Sequence, residues 1–263
     1  MELPEDLKLY LLTQPQHVAQ ARRRGLTPAH MVYRVGNGPH LFRSRSPVSA
    51  QGGVMALEHR DFDGRGNTEP FCQEVIRECA SRGFQGVFCD FEGAVIPVLQ
   101  RSVERLAGAF QRRGWSLYVP ERYALSSPAV KVVVPTALSG GSLQQHLAQA
   151  VQRYGAQRVV LGLEWAAEDF SLPAASGSGQ ALSWDELERL LAQHGGSAYF
   201  SDELCAHYFT YMHTGQSAHF VLYDTPASMA KKLITAAALG IREGFLPDPG
   251  RGDYLDQLFP AAL

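Results

Sequence analysis

The chain has 263 residues, 45% of them hydrophobic, with 24 Lys and Arg against 26 Asp and Glu for a net charge of −2. That balance gives no electrostatic footing for nucleic acid or an anionic membrane, and no run approaches the roughly 18 apolar residues that a span needs. Cys72, Cys79, Cys89 and Cys205 lack CxxC spacing and predict reduced, buried thiols, not disulfides or a metal site.

The N-terminus, Met1-Glu2-Leu3-Pro4-Glu5-Asp6, is acidic and lacks a signal-peptide pattern, which predicts a cytoplasmic location. Short apolar runs then alternate with amphipathic stretches. Residues 7–12 read as strand one and 16–24 as a basic surface helix. Residues 30–35 read as strand two, ended by the turn pair Asn37-Gly38. Strand three spans 54–58, followed by a helix over 70–82 with Phe71, Val75, Ile76 and Cys79 on one face. Strand four covers 87–92, a helix 97–113, strand five 115–119 and strand six 130–134. Ser142 and Gln145 form a capping box for a helix reaching Tyr154, and strand seven spans 158–163.

Residues 166–181, rich in Ala, Ser and Gly, read as an exposed loop. Ser183 and Glu186 make a second capping box. Hairpin strands follow at 198–200, 208–211 and 218–223, with a turn near Thr214-Gly215. Thr225-Pro226 opens a helix to about Leu239, with proline at its first position, and 241–246 is strand eight. Repeated strand-then-helix units imply parallel pairing by right-handed crossovers. Eight of them predict one α/β domain over residues 1–263, a (β/α)8 TIM barrel with a β-hairpin insertion at about 166–224. Its site would lie at the C-terminal strand ends.

The run most suggestive of chemistry is Gly83-Phe84-Gln85-Gly86-Val87-Phe88-Cys89-Asp90-Phe91-Glu92-Gly93. Alternation along a strand puts Asp90 and Glu92 on one face, with Cα atoms roughly 6.6 Å apart. Each carboxylate disfavours ionisation of the other, so one can hold a proton near neutral pH. A protonated acid beside an ionised one is what glycosidic cleavage requires.

Residues 85–92 resemble the fourth-strand signature of family 18 glycoside hydrolases, Asp-Gly-x-Asp-x-Asp-aromatic-Glu. Residues 158–163 look like that family's seventh strand. The run His219 to Leu233, continuing to Gly240-Ile241-Arg242, is similar to the hairpin strand, helix and eighth-strand entry of its spore-cortex-lytic and spore-germination branch; no LysM repeat is visible. The resemblance implies a TIM-barrel hydrolase of β-linked N-acetylglucosamine glycans, peptidoglycan or chitin-like. It works without metal or cofactor, by a substrate-assisted retaining mechanism. Glu92 matches the general acid and base, and Asp90 the residue that steadies the substrate's 2-acetamido group. The same branch extends the location to the spore surface.

This chain departs from the family pattern in several places. Gln85 and Phe88 stand where the signature has acids. The stretch Pro135-Thr136-Ala137-Leu138 replaces the strand-six Met-x-Tyr-Asp, and Gly244-Phe245-Leu246-Pro247 has no strand-eight Trp. Each lost transition-state donor is worth on the order of 3 kcal/mol. The alternative is therefore a catalytically impaired barrel serving as a glycan-binding or sporulation-associated protein. Further substrate contacts are expected from strand ends: Glu58 after strand three, Thr136 after strand six, and Glu164 and Trp165 after strand seven, with Tyr211 from the hairpin. Trp165 either stacks on a sugar or caps the core beneath the following loop. His207, His213 and His219 match no metal-ligand spacing and read as structural or exposed. The expected partner is a carbohydrate; nothing in the sequence specifies an oligomeric state.

Overall fold

The computed structural model describes residues 3–46, 48–172, 179–212 and 218–259. Eight parallel strands form a closed ring: β1 (Lys8–Thr13), β2 (Thr27–Gly36), β3 (Val54–Glu58), β4 (Gly86–Asp90), β5 (Ser116–Pro120), β6 (Val130–Pro135), β7 (Val159–Gly162) and β8 (Glu243–Pro247). Each pairs with its neighbours in sequence, and β1 closes the ring by pairing with β8, Lys8 opposite Glu243, as well as with β2. The architecture is the expected (β/α)8 TIM barrel.

The helices are α1 (Val18–Arg23), α2 (Thr68–Arg82), α3 (Pro97–Gln111), α4 (Leu143–Tyr154), α5 (Trp184–His194), α6 (Pro226–Ala238) and α7 (Gly252–Leu258). Two strand-helix units depart from the repeat. Between β2 and β3 the chain makes a short antiparallel strand, His40–Arg43, paired to β2, and then a loop instead of a helix. Between β5 and β6 there is only a 3-10 turn at Glu121–Tyr123. Local chemistry sets the helix ends. Asn67 caps α2 by accepting from the Glu69 amide at 3.1 Å, and Gly83 ends it in the left-handed region at φ 66°. The expected Ser183–Glu186 capping box is formed in both directions, whereas Ser142 caps α4 in one direction only, accepting from the Gln145 amide; Thr225 and Ser228 make a further reciprocal box at the start of α6.

The expected loop at 166–181 is a correction. Ala167–Leu172 and Gln180–Ala181 are strands, and residues 173–178 between them lie outside the described residues. They join Tyr199–Ser201, Ala206–Met212 and Ala218–Tyr223 in a five-stranded antiparallel sheet. The sequence of 167–172 is polar, and its strand form comes from pairing with residues 218–223, Phe170 opposite Phe220. Helix α5 covers one face of this sheet, Leu187 meeting Phe209, Val221 and Tyr223. The turn read at Thr214-Gly215 and His213 lie outside the described residues.

The barrel interior takes one aromatic or small apolar side chain, or two, from every strand: Tyr10, Ala29, Val54 and Ala56, Phe88, Tyr118, Val133, Val160 and Phe245. Large rings from β1, β4, β5 and β8 are offset by small side chains from β2, β3, β6 and β7, because the space is fixed. A Cβ on Gly86 would lie 3.1 Å from the Tyr118 ring and 2.5 Å from the Ser116 carbonyl oxygen, so only glycine fits there. Outside the ring, the opposite strand faces bury against the helices in two clusters, one over β2–β5 and one over β6–β8 and β1. All four cysteines are free and buried, and burial raises the Cys72 and Cys79 thiols to about 11 and about 12. No described helix is long and apolar enough to cross a membrane.

Candidate active site

Strand parity decides which side chains reach the C-terminal mouth. On β4, Val87 and Cys89 point outward into the helix layer, so Gly86, Phe88 and Asp90 point inward, and Glu92 follows just beyond the strand. Asp90 and Glu92 both line a cavity of about 360 Å³ at the strand ends. Phe88 and Phe245 form its floor, their rings stacked with centroids 4.3 Å apart. Tyr10 stacks on the far side of Phe245 at 4.7 Å, and Tyr118 meets it edge-on at 5.0 Å. Arg122, Glu164, Met31, Pro120, Pro135 and Pro247 complete much of the rim.

Electrostatics distinguish the carboxylates. Burial pushes the Asp90 carboxyl up, and Glu92 and Glu58 push the same way, against Arg60 and His59. Asp90 is half-buried over an aromatic floor and accepts no side-chain hydrogen bond from another described residue, so its charge is only partly compensated. Glu164 keeps a solvent-open face inside a concave setting. Burial raises its pKa, Lys232 opposes, and Glu168, Glu92 and Asp224 add to the rise.

The sequence-derived residues separate cleanly. Asp90, Glu92 and Glu164 converge on the cavity. Glu58 faces inward beside Asp90, its pairing partner, but leans to Arg60 at 3.5 Å and stands next to the cavity, not in its lining. Thr136 is wholly buried, its hydroxyl donating to the Gly162 carbonyl at 3.2 Å, and does not reach the cavity. Trp165 takes the capping option: its indole donates to the Pro247 carbonyl at 2.9 Å and its ring packs on Tyr254. Tyr211 belongs to the insertion, donating to Asp169 Oδ2 at 2.7 Å with its ring stacked between His194 and His219. His207 stacks on Tyr223, and no group of three or more His, Cys, Asp or Glu able to hold a metal occurs among the described residues. Sequence reasoning missed Arg122 and the Phe88–Phe245 floor. Inward parity on β4 and β8 was the signal for the floor; Arg122 sits on a turn where parity gives none.

Solved structures share this fold. The chain superposes on the Bacillus megaterium QM B1551 spore cortex-lytic enzyme SleL with a TM-score of 0.65 at 14% identity, covering 99% of this chain and 77% of that one. For the chitinase of Chromobacterium violaceum ATCC 12472 the TM-score is 0.66 at 15% identity, with 97% and 100% covered. For a glycoside hydrolase family 18 N-acetylglucosaminidase from Paenibacillus barengoltzii it is 0.64 at 11%, with 97% and 100% covered. No protein-family model matches the chain. No curated protein matches it in sequence.

Proposed function

We propose that the protein is a glycoside hydrolase of family 18 type, cleaving β-linked N-acetylglucosamine glycans through a substrate-assisted retaining mechanism. The observation that carries this reading is the pairing of Asp90 and Glu92 on one wall of the strand-end cavity, over an apolar floor. The likeness in fold to chitinases and to a spore cortex-lytic enzyme supports the substrate class.

Glu92, open to solvent, protonates the glycosidic oxygen as the bond to the anomeric carbon breaks. The substrate's acetamido carbonyl oxygen attacks that carbon and forms an oxazolinium. Asp90 stabilises the positive charge, and because burial disfavours its carboxylate in the resting site, that cation is a favourable partner. Glu92 then takes a proton from the water that opens the ring. The Phe88–Phe245 floor takes the place of the strand-eight Trp as the apolar surface beneath the sugar, and Arg122, Glu164 and the neighbouring Glu58 offer polar contacts to its substituents.

The test is product formation from chitin oligosaccharides and peptidoglycan fragments, followed by mass spectrometry. Glu92→Gln lowers turnover at least about 100-fold, the usual scale for a lost general acid, with thermal unfolding unchanged. An unaltered rate in that variant ends the proposal. Saturable oligosaccharide binding without product from the unaltered chain moves the assignment to a glycan-binding barrel.

A further inference from the structure

The second strand-helix unit lacks its helix, and the chain that replaces it leaves a concave site on the outer wall of the barrel. This cavity of about 440 Å³ is lined by Arg43, Arg45 and Arg82, by Ser44, Ser46 and Ser49, and by an apolar side that includes Pro15, Val32 and Val48. None of its residues lines the cavity at the strand ends.

Its charges are arranged to leave an excess. Glu78 is the acid paired with these arginines. Its Oε1 accepts from Arg43 Nη1 at 3.0 Å, from Arg82 Nε, and from the buried Tyr33 hydroxyl at 2.9 Å. Those donors saturate one carboxylate oxygen while fixing two guanidinium groups. Arg82 is held further by Ser49 Oγ at 2.8 Å and the Ala50 carbonyl at 3.1 Å, and is only 18% exposed. Among the described residues its Nη2 has no hydrogen-bond partner, and Arg45 has no hydrogen bond or ion pair. Three guanidiniums against one carboxylate leave two positive charges in a recess.

We infer that this outer-wall recess binds a phosphomonoester: the arginines and serine hydroxyls take the phosphate, and Pro15, Val32 and Val48 take its organic carrier. A phosphate near neutral pH carries between one and a half and two negative charges and three acceptor oxygens, matching the excess. Planar guanidinium edges suit its geometry better than that of a point charge. A partly buried, pre-ordered Arg82 loses little side-chain entropy on binding. The site is separate from the glycan cavity, so its occupation does not depend on the proposed hydrolysis.

Calorimetric titration of the full chain with glycerol 3-phosphate tests this, with inorganic phosphate and acetate as comparators. Glycerol 3-phosphate binds saturably and acetate does not. Arg45→Ala, which removes no hydrogen bond or ion pair to another described residue, weakens binding at least tenfold without moving the thermal midpoint. Arg43→Gln, at a side chain 45% exposed that also gives up its pair with Glu78, weakens binding to a similar degree. Absence of saturable heat, equal affinity in Arg45→Ala, or equal binding of acetate overturns the proposal. Equal affinity for inorganic phosphate and glycerol 3-phosphate overturns the carrier half of it and assigns the recess to the free ion.

Discussion

Phe88 and Asp90 lie two residues apart on the same face of β4, and that juxtaposition raises the cost of the Asp90 charge. Because burial lifts the folded-state pKa of Asp90 above its unfolded value, the native chain holds more proton than the unfolded one between those values. Stability therefore falls as pH rises through that window, and the penalty is fully present above it. Asp90→Asn should raise the midpoint at pH 7.5 by about 1–3 °C for a chain of this length, the gain shrinking as pH falls, while turnover collapses. Calorimetric melts at pH 4 and 7.5 check it; a lower midpoint at pH 7.5 refutes the account. Arg60 opposes the rise, so Arg60→Gln should move the acid limb of the kcat/KM profile to higher pH. The same parity argument separates the legible from the illegible residues. Glu164 shares the inward face of Val160 and Gly162, whereas Trp165 takes the opposite face with Leu163; Pro135 points inward and Thr136 does not. Strand-end position alone could not choose between neighbours, and parity could have.

Elements with strong local signals were readable: the Ser183–Glu186 capping box, the proline starts of α3 and α6, and all eight barrel strands to within a few residues; the reciprocal Thr225–Ser228 box was not, because serine at the third position is not the usual partner. Elements defined by what they pair with were not, as Ala167–Leu172 and His40–Arg43 show. The strand-to-helix junction after the insertion depends on a buried ion pair. Lys232 on α6 donates to Asp224 at 2.6 Å, both essentially unexposed, and Asp224 also accepts from Ser228 Oγ at 2.6 Å and the Ala166 amide at 3.0 Å. One carboxylate thereby ties the entry and exit of the insertion to α6. Lys232→Met leaves that carboxylate buried and uncompensated, and should cost about 3–5 kcal/mol, read as a drop in urea midpoint. A loss under about 1 kcal/mol would mean that the junction does not depend on this pair.

At the scale of the molecule, two separate outer cores pack against one barrel. One lies over β2–β5 and contains Trp115; the other lies over β6–β8 and β1 and contains Trp165. The interior layer joins them, since it draws on every strand, and Phe245 is its hub, touching Tyr10, Phe88 and Tyr118. Truncating a buried Phe to Ala costs about 3–5 kcal/mol, but here the loss falls on the contact between halves. Phe245→Ala should therefore separate the transitions as well as lower them. Two fluorescence probes resolve this, one variant keeping Trp115 as its sole tryptophan and one keeping Trp165. Their urea curves should coincide in the Phe245 background and diverge once Phe245→Ala is added, with a shallower overall slope. Coincident curves at an unchanged slope would show that the halves are coupled through the strand ladder, and that the aromatic layer only fills space.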